Sequence, residues 1–226
     1  METAPWDVDG VRERVGKRVA EFLDDRRLVL DGISDDVGAL VDPLSEFLAG
    51  GKRLRAVFLY WGWRCGGAQD CEAVISAASA MEFLQACALI HDDVMDRSET
   101  RRGRPAIHRQ FESLHSSAGW AGAASDFGTA TAILLGDLCL SWADELLLTS
   151  GVPDERLRRG KPVYDLMRTE LMAGQYLDML EQVRRNDQVE AALRVATFKS
   201  AKYTIERPLH LGAVMGGAHS DQVAAL

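Results

Sequence analysis

The chain has 226 residues, 47% of them hydrophobic, enough to bury the core of one sizeable globular domain. Its 26 Lys and Arg against 34 Asp and Glu give a net charge of −8. That acidity excludes a protein whose work is to grip a nucleic-acid backbone, which needs a clustered basic face.

The leading segment METAPWDVDG has neither the basic region nor the apolar run of a signal peptide. No uninterrupted apolar stretch approaches the roughly 20 residues of a membrane-spanning helix, so a soluble protein is expected. The four cysteines, Cys65, Cys71, Cys87 and Cys139, form no CxxC pair. They read as reduced core or near-core residues of a cytoplasmic protein.

Helix-period patterns dominate and strand signals are scarce, which predicts an all-α fold. Val11, Val15, Val19, Phe22 and Leu23 recur at helical spacing and predict a first amphipathic helix. Leu40, Leu44, Phe47 and Leu48 continue the pattern until Gly50 and Gly51 stop it. In the following Gly50-Gly51-Lys52-Arg53-Leu54-Arg55, a helix N-terminus and two cations three apart offer an anion site. An apolar helix over about Ala56 to Cys65 ends at Gly66-Gly67, and the next runs from near Cys71 to Asp96.

That helix carries the organising motif. QACALIHDDVMDRSETRR begins apolar at Gln85 and ends in Asp92, Asp93 and Asp96, with Arg101 and Arg102 just beyond. Asp92 and Asp96 are four apart and share a helix face. Their oxygens suit a hard cation, Mg²⁺ above all, which bridges readily to phosphates. The arginine pair suits the same ligand, because guanidinium forks grip phosphate oxygens bidentately. Acid for metal, arginine for phosphate and an apolar helix behind them point to a hydrocarbon diphosphate. His91 reads as a packing or hydrogen-bonded residue.

After Arg102 a loop with Gly103 and Pro105 leads to a short helix through Ile107 and Phe111. Ser116 to Gly128, rich in Ser, Ala and Gly, reads as a mobile loop. A helix resumes over Thr129 to Leu148, where Gly136 allows close approach and Asp137 is a capping or core-polar residue. Beyond Gly160-Lys161-Pro162 another helix carries Glu170, Gly174, Gln175 and Asp178. A turn at Arg184 to Asp187 precedes a helix through Phe198-Lys199-Ser200-Ala201-Lys202-Tyr203. There Lys202 reads as a solvated position, and Pro208 as a kink that does not end the helix.

DDVMD with RSETRRGRP resembles the first aspartate-rich motif of the trans-isoprenyl diphosphate synthases, the polyprenyl synthetase family, with a geranylgeranyl diphosphate synthase-like pattern. The resemblance covers about Gly50 to Gly217. It implies a helical bundle around a deep cavity and Mg²⁺-dependent condensation of isopentenyl diphosphate with an allylic diphosphate, in a homodimer. Carried over residue by residue, it gives Lys52, Arg55, Gln85 and Arg102 to isopentenyl diphosphate. It gives Asp92 and Asp96 to the metal, with Arg101 and Lys199 on the allylic diphosphate. GQYLD resembles the family's GQxxD, which places Gln175 at the allylic site and Asp178 beside a magnesium-bound ligand. The lysine-hydroxyl pair Lys199-Ser200 resembles a further signature at the same diphosphate.

Small residues at Cys87 and Ala88, one turn before the acidic motif, imply that a growing chain passes them. Leu84, Phe83 or Met81 then forms the floor, at geranylgeranyl length. No second aspartate-rich motif appears before Leu226, so the sequence reads as a single domain truncated ahead of it. Two other readings remain open: a class I terpene cyclase, and a non-catalytic subunit of an active synthase.

Overall fold

The computed structural model describes residues 10–184 and 188–226. All of the leading segment but Gly10, and the turn expected at Arg184 to Asp187 beyond its first residue, lie outside the described residues.

In chain order the helices are α1 (Val11–Asp31), α2 (Asp35–Gly38), α3 (Val41–Leu48), α4 (Leu54–Cys65) and α5 (Glu72–Met95). A hairpin of β1 (Thr100–Arg101) and β2 (Arg104–Pro105) follows, then α6 (Ile107–Ala118), α7 (Ala124–Leu148), α8 (Asp154–Arg184) and α9 (Val189–Val195). A π-helix, Ala196–Glu206, precedes α10 (Arg207–Gly216) and α11 (Ser220–Ala224). The fold is all-α, as the periodicity predicts.

The chain forms two compact units. The first comprises the segment ending at Val15 with Lys52–Met81 and Leu146–Leu226. Here α4 and α10 lie backbone to backbone: a Cβ on Gly62 would overlap the carbonyl oxygen of Leu209, and one on Gly212 that of Leu59. Close packing leaves no room for even one methyl group there. Arg156 of α8 donates to the carbonyls of Met215 and Gly216, at 2.8 and 2.9 Å, satisfying the C-terminal end of α10. Pro208 lies in the first turn of α10, directly after the π-helix. It stands where π geometry changes to α, and the helix runs on through it, as expected.

The second unit comprises Gly16–Gly51 and Glu82–Glu145. Phe22 of α1, Phe83 of α5 and Trp142 of α7 meet edge to face, with centroids 5.2 to 6.2 Å apart, and are buried. Gly136 does allow close approach: a Cβ there would overlap the His91 imidazole.

Four sequence expectations change. The segment Ser116 to Gly128 is mostly helix, with only residues 119–123 between α6 and α7. The two helices meet ring to ring across it: His115, Trp120 and Phe127 lie within 5.9 Å centroid to centroid, with Trp120 itself half exposed. Asp137 is neither cap nor core residue; its side chain is 62% exposed, 3.6 Å from His91 Nε2. Cys65 and Cys71 are exposed free thiols, while Cys87 and Cys139 are buried. Finally, α5 contains a window of mean hydropathy 1.7, apolar enough to cross a membrane; with 78% of that window buried inside the protein, it reads as a core helix.

Candidate functional site

The end of α5 is shaped by its backbone. The Asp96 N–H donates to the Asp92 carbonyl at 2.8 Å, so the last turn carries both carboxylates on one side. Arg97 then turns left-handed (φ 53°), and the N–H of Ser98 reaches back to the Asp93 carbonyl at 2.9 Å. This is a Schellman stop with arginine where glycine usually stands. Asp92 is half-buried, Asp96 exposed and Asp93 1% exposed.

The segment after the helix is a hairpin rather than a loop. Thr100 pairs with Pro105 and Arg101 with Arg104, across a two-residue turn in which Arg102 (φ 53°) and Gly103 (φ 79°) are both left-handed. Two positive φ angles are what a type I′ turn demands, and they match the twist of a tight hairpin. Arg101 is thereby aimed back at α5. Its Nε donates to Asp93 Oδ1 at 3.0 Å and its Nη2 to the same oxygen at 2.5 Å, with Asp92 Oδ2 at 3.4 Å from Nη2. These bonds, led by that to Asp93, raise the Arg101 pKa and keep it charged. Arg102 lies over the Phe47 ring, 5.9 Å from its centroid. Arg101, Arg102 and Arg104 line a hollow of about 200 Å³ together with Phe47 and Gln110.

Along α5, Ala88 and Gln85 lie one and two turns before Asp92 on its face. Gln85 Oε1 is buried without a hydrogen-bond partner among the described residues. Cys87 turns elsewhere, its Sγ 3.8 Å from His91 Nδ1. Burial, and secondarily the charge of Asp137, pushes its thiol up to about 12. Leu84 and Phe83 are fully buried, Phe83 within the aromatic trio.

The first unit holds the other candidates. Lys52 is exposed and precedes α4 rather than sitting in its first turn; Arg53, left-handed at φ 51°, is the N-cap. Arg55 donates to Thr204 Oγ1 at 2.7 Å and stacks on Tyr203, 4.3 Å from the ring centroid. On α8, Gly174 brings the helix against the π-helix, since a Cβ there would overlap the Lys199 amide nitrogen. Lys199 Nζ donates to Asp178 Oδ2 at 2.6 Å, Gln175 is half-buried and Ser200 is exposed. The π geometry carrying Lys199 and Ser200 is uncommon and concentrates at functional sites.

Lys202 is not a solvated position. Its Nζ lies 3.4 Å from Glu170 Oε1, and Arg207 donates to the two oxygens of Glu170 at 2.6 and 2.7 Å. Arg207 above all holds the Glu170 carboxyl below its ordinary range. Residues 32 and 37 apart in sequence give no local signal of this cluster.

The donor set at the end of α5 fits Mg²⁺: two carboxylates on one helical turn, both oxygen ligands. Among the described residues no group of three or more His, Cys, Asp or Glu side chains forms a cage. A small hard cation bound by one or two carboxylates takes its other ligands from water and substrate phosphates.

Residues 38–226 match the family model for polyprenyl synthetases. Geranylgeranyl diphosphate synthase of Methanosarcina mazei is 36% identical over 178 residues, 78% of this chain and 48% of that protein. A short chain isoprenyl diphosphate synthase of Methanothermobacter thermautotrophicus is 30% identical over 93% of this chain and 59% of its own length. The chain thus spans about half the length of the curated relatives it matches. Among solved structures, the geranylgeranyl pyrophosphate synthase of Corynebacterium glutamicum, complexed with isoprenyl diphosphate and magnesium, superposes with a TM-score of 0.93 at 40% identity, over 97% of this chain and 63% of that one. An acidic helix end faced by a hairpin arginine, and a family match running from the last residue of α2 through α11, lead to one assignment: the chain belongs to the polyprenyl synthetase family.

Proposed function

We propose that the protein acts as a Mg²⁺-dependent prenyltransferase, condensing isopentenyl diphosphate with an allylic diphosphate head to tail. The observation that carries this reading is the Asp92–Asp96 pair on one helical turn beside the arginine hairpin. The reaction breaks an allylic C–O bond, so diphosphate charge must be neutralised as it grows. Asp92 and Asp96 would hold Mg²⁺, which would supply Lewis-acid neutralisation of that leaving group. Arg101 adds a fixed guanidinium to the same task. Arg102 and Gln85, with Lys52 and Arg55 from the first unit, are the residues the family pattern gives to isopentenyl diphosphate. Lys199, Ser200, Gln175 and Asp178 are those it gives to the allylic partner. Proton loss goes to the departing diphosphate, so no histidine base is required. Ala88, small and on the acidic face, supports passage of a chain to geranylgeranyl length, with Leu84 one turn deeper. A single cytoplasmic domain, working as a homodimer, completes the reading.

Incubation with labelled isopentenyl diphosphate, farnesyl diphosphate and Mg²⁺ tests it. The expected product is geranylgeranyl diphosphate, lost on chelation. Consumption of the allylic diphosphate without incorporation of label supports a cyclase instead. No turnover alone, but stimulation of a partner synthase, supports the regulatory reading.

A further inference from the structure

The middle aspartate of DDVMD has no role in the reading above, and its surroundings are unlike those of its neighbours. Asp93 is 1% exposed, whereas Asp92 is half-buried and Asp96 exposed. Both of its oxygens face one guanidinium: Oδ1 accepts from Arg101 Nε at 3.0 Å and Nη2 at 2.5 Å, and Oδ2 from Nε at 3.2 Å. A carboxylate so buried and paired offers little open surface to a cation that prefers solvated oxygen ligands. The partner arginine is fixed twice. Its backbone is held in β1 by the two-residue turn, and its head by Asp93. The same side chain reaches the hollow that Arg102 and Arg104 also line.

We propose that Asp93 is a positioning residue for Arg101 rather than a ligand of the metal. An arginine left to itself loses rotamer entropy when it meets a phosphate. One already clamped through Nε and Nη2 loses little, and presents its remaining N–H groups in a set direction. Asp92 lies at the edge of the same fork, with Oδ2 3.4 Å from Nη2, so one guanidinium also braces the metal-facing carboxylate. The motif therefore divides its labour: Asp92 and Asp96 toward the cation, Asp93 toward the arginine. The inference rests on the function proposed above, and its test separates the two.

The test uses the 226-residue chain with inorganic diphosphate and Mg²⁺ as probes. The Arg101 Nε–H resonance in ¹⁵N-edited NMR, assigned by its loss in Arg101→Lys, should be resolved and slow to exchange. In Asp93→Asn its exchange should accelerate about tenfold or more. Calorimetry should show diphosphate affinity about tenfold weaker in Asp93→Asn and in Arg101→Lys, with no further loss in the double variant. The half-saturating Mg²⁺ concentration should stay within about twofold in both, while Asp92→Asn raises it about tenfold. If Asp93→Asn raises the Mg²⁺ requirement as Asp92→Asn does, or leaves diphosphate affinity intact, the proposal is overturned. Should Asp93→Asn fail to fold, Asp93→Glu, which keeps the charge and shifts the carboxylate, decides by the same two readouts. Wild-type protein that binds no diphosphate with Mg²⁺ contradicts the functional reading itself, and the positioning role falls with it.

Discussion

Gly174 of α8 lies against the backbone of Lys199, and that crossing sets Lys199 Nζ 2.6 Å from Asp178 Oδ2. A side chain at position 174 would separate α8 from the π-helix. Gly174→Ala is therefore expected to destabilise the chain by about 1–3 kcal/mol, the usual effect of overpacking. The loss should appear as a lower midpoint in urea without a change in slope. In an active preparation, catalytic rate should fall with it, because Lys199 moves with the π-helix.

The Glu170 cluster makes a second prediction. Arg207 and Lys202 share one carboxylate, with Glu170 and Arg207 only 12 and 13% exposed at their side chains. Glu170→Gln leaves Lys202 and Arg207 with Glu206, at 3.6 and 3.0 Å, as their shared acidic partner, and should cost about 1–3 kcal/mol. Thermal denaturation checks this, and Arg207→Met in the Glu170→Gln background should recover part of the loss, since it removes the excess positive charge.

Stability should fall on mild acidification. Burial lowers the pKa of His108 and of His210 below the ordinary histidine value of 6.5. The unfolded chain therefore binds these protons at a higher pH than the folded one. The stabilisation they support is complete above about pH 6.5 and is lost as pH drops through the folded values. Glu170, whose pKa is depressed from 4.5 chiefly by Arg207, adds a second loss only at lower pH. Denaturant midpoints should decline between pH 7 and 5.5, and His108→Gln should flatten that decline. An unchanged slope in the variant would contradict the assignment.

Product length provides a fourth prediction. Ala88 lies on the Asp92 face of α5, whereas Cys87 is fully buried and turned toward His91. Ala88→Phe should shorten the product to farnesyl length. Cys87→Phe, also expected to shorten it, should in addition destabilise the core by about 1–3 kcal/mol. Chromatography of products, beside the melting curves of both variants, separates floor from core.

What was legible in the sequence was what local spacing encodes. The acidic pair, the α5 stripe and GQYLD stand on helices where their periods place them. The hairpin escaped because two-residue strands carry no alternation, and its turn has arginine at a position usually given to Asn or Asp. The helix over the Ser-Ala-Gly segment escaped because the ring contacts of His115, Trp120 and Phe127 join residues on either side of the 119–123 link, which composition does not show. The bonds of Lys202 and Arg207 to Glu170 are tertiary, and no window of sequence contains both ends. Arg101 is the mixed case: its charge was legible beside the acidic motif, while its anchor on Asp93 depends on a turn only coordinates reveal.

The central claim is that the carboxylates at the end of α5 hold the cation that grips a diphosphate. Anomalous scattering from crystals grown with Mn²⁺ and inorganic diphosphate locates that cation directly. The account predicts a peak within about 2.0–2.3 Å of oxygens of both Asp92 and Asp96 and not of Asp93. A peak coordinated by other residues, with Asp92 and Asp96 bare, would contradict it.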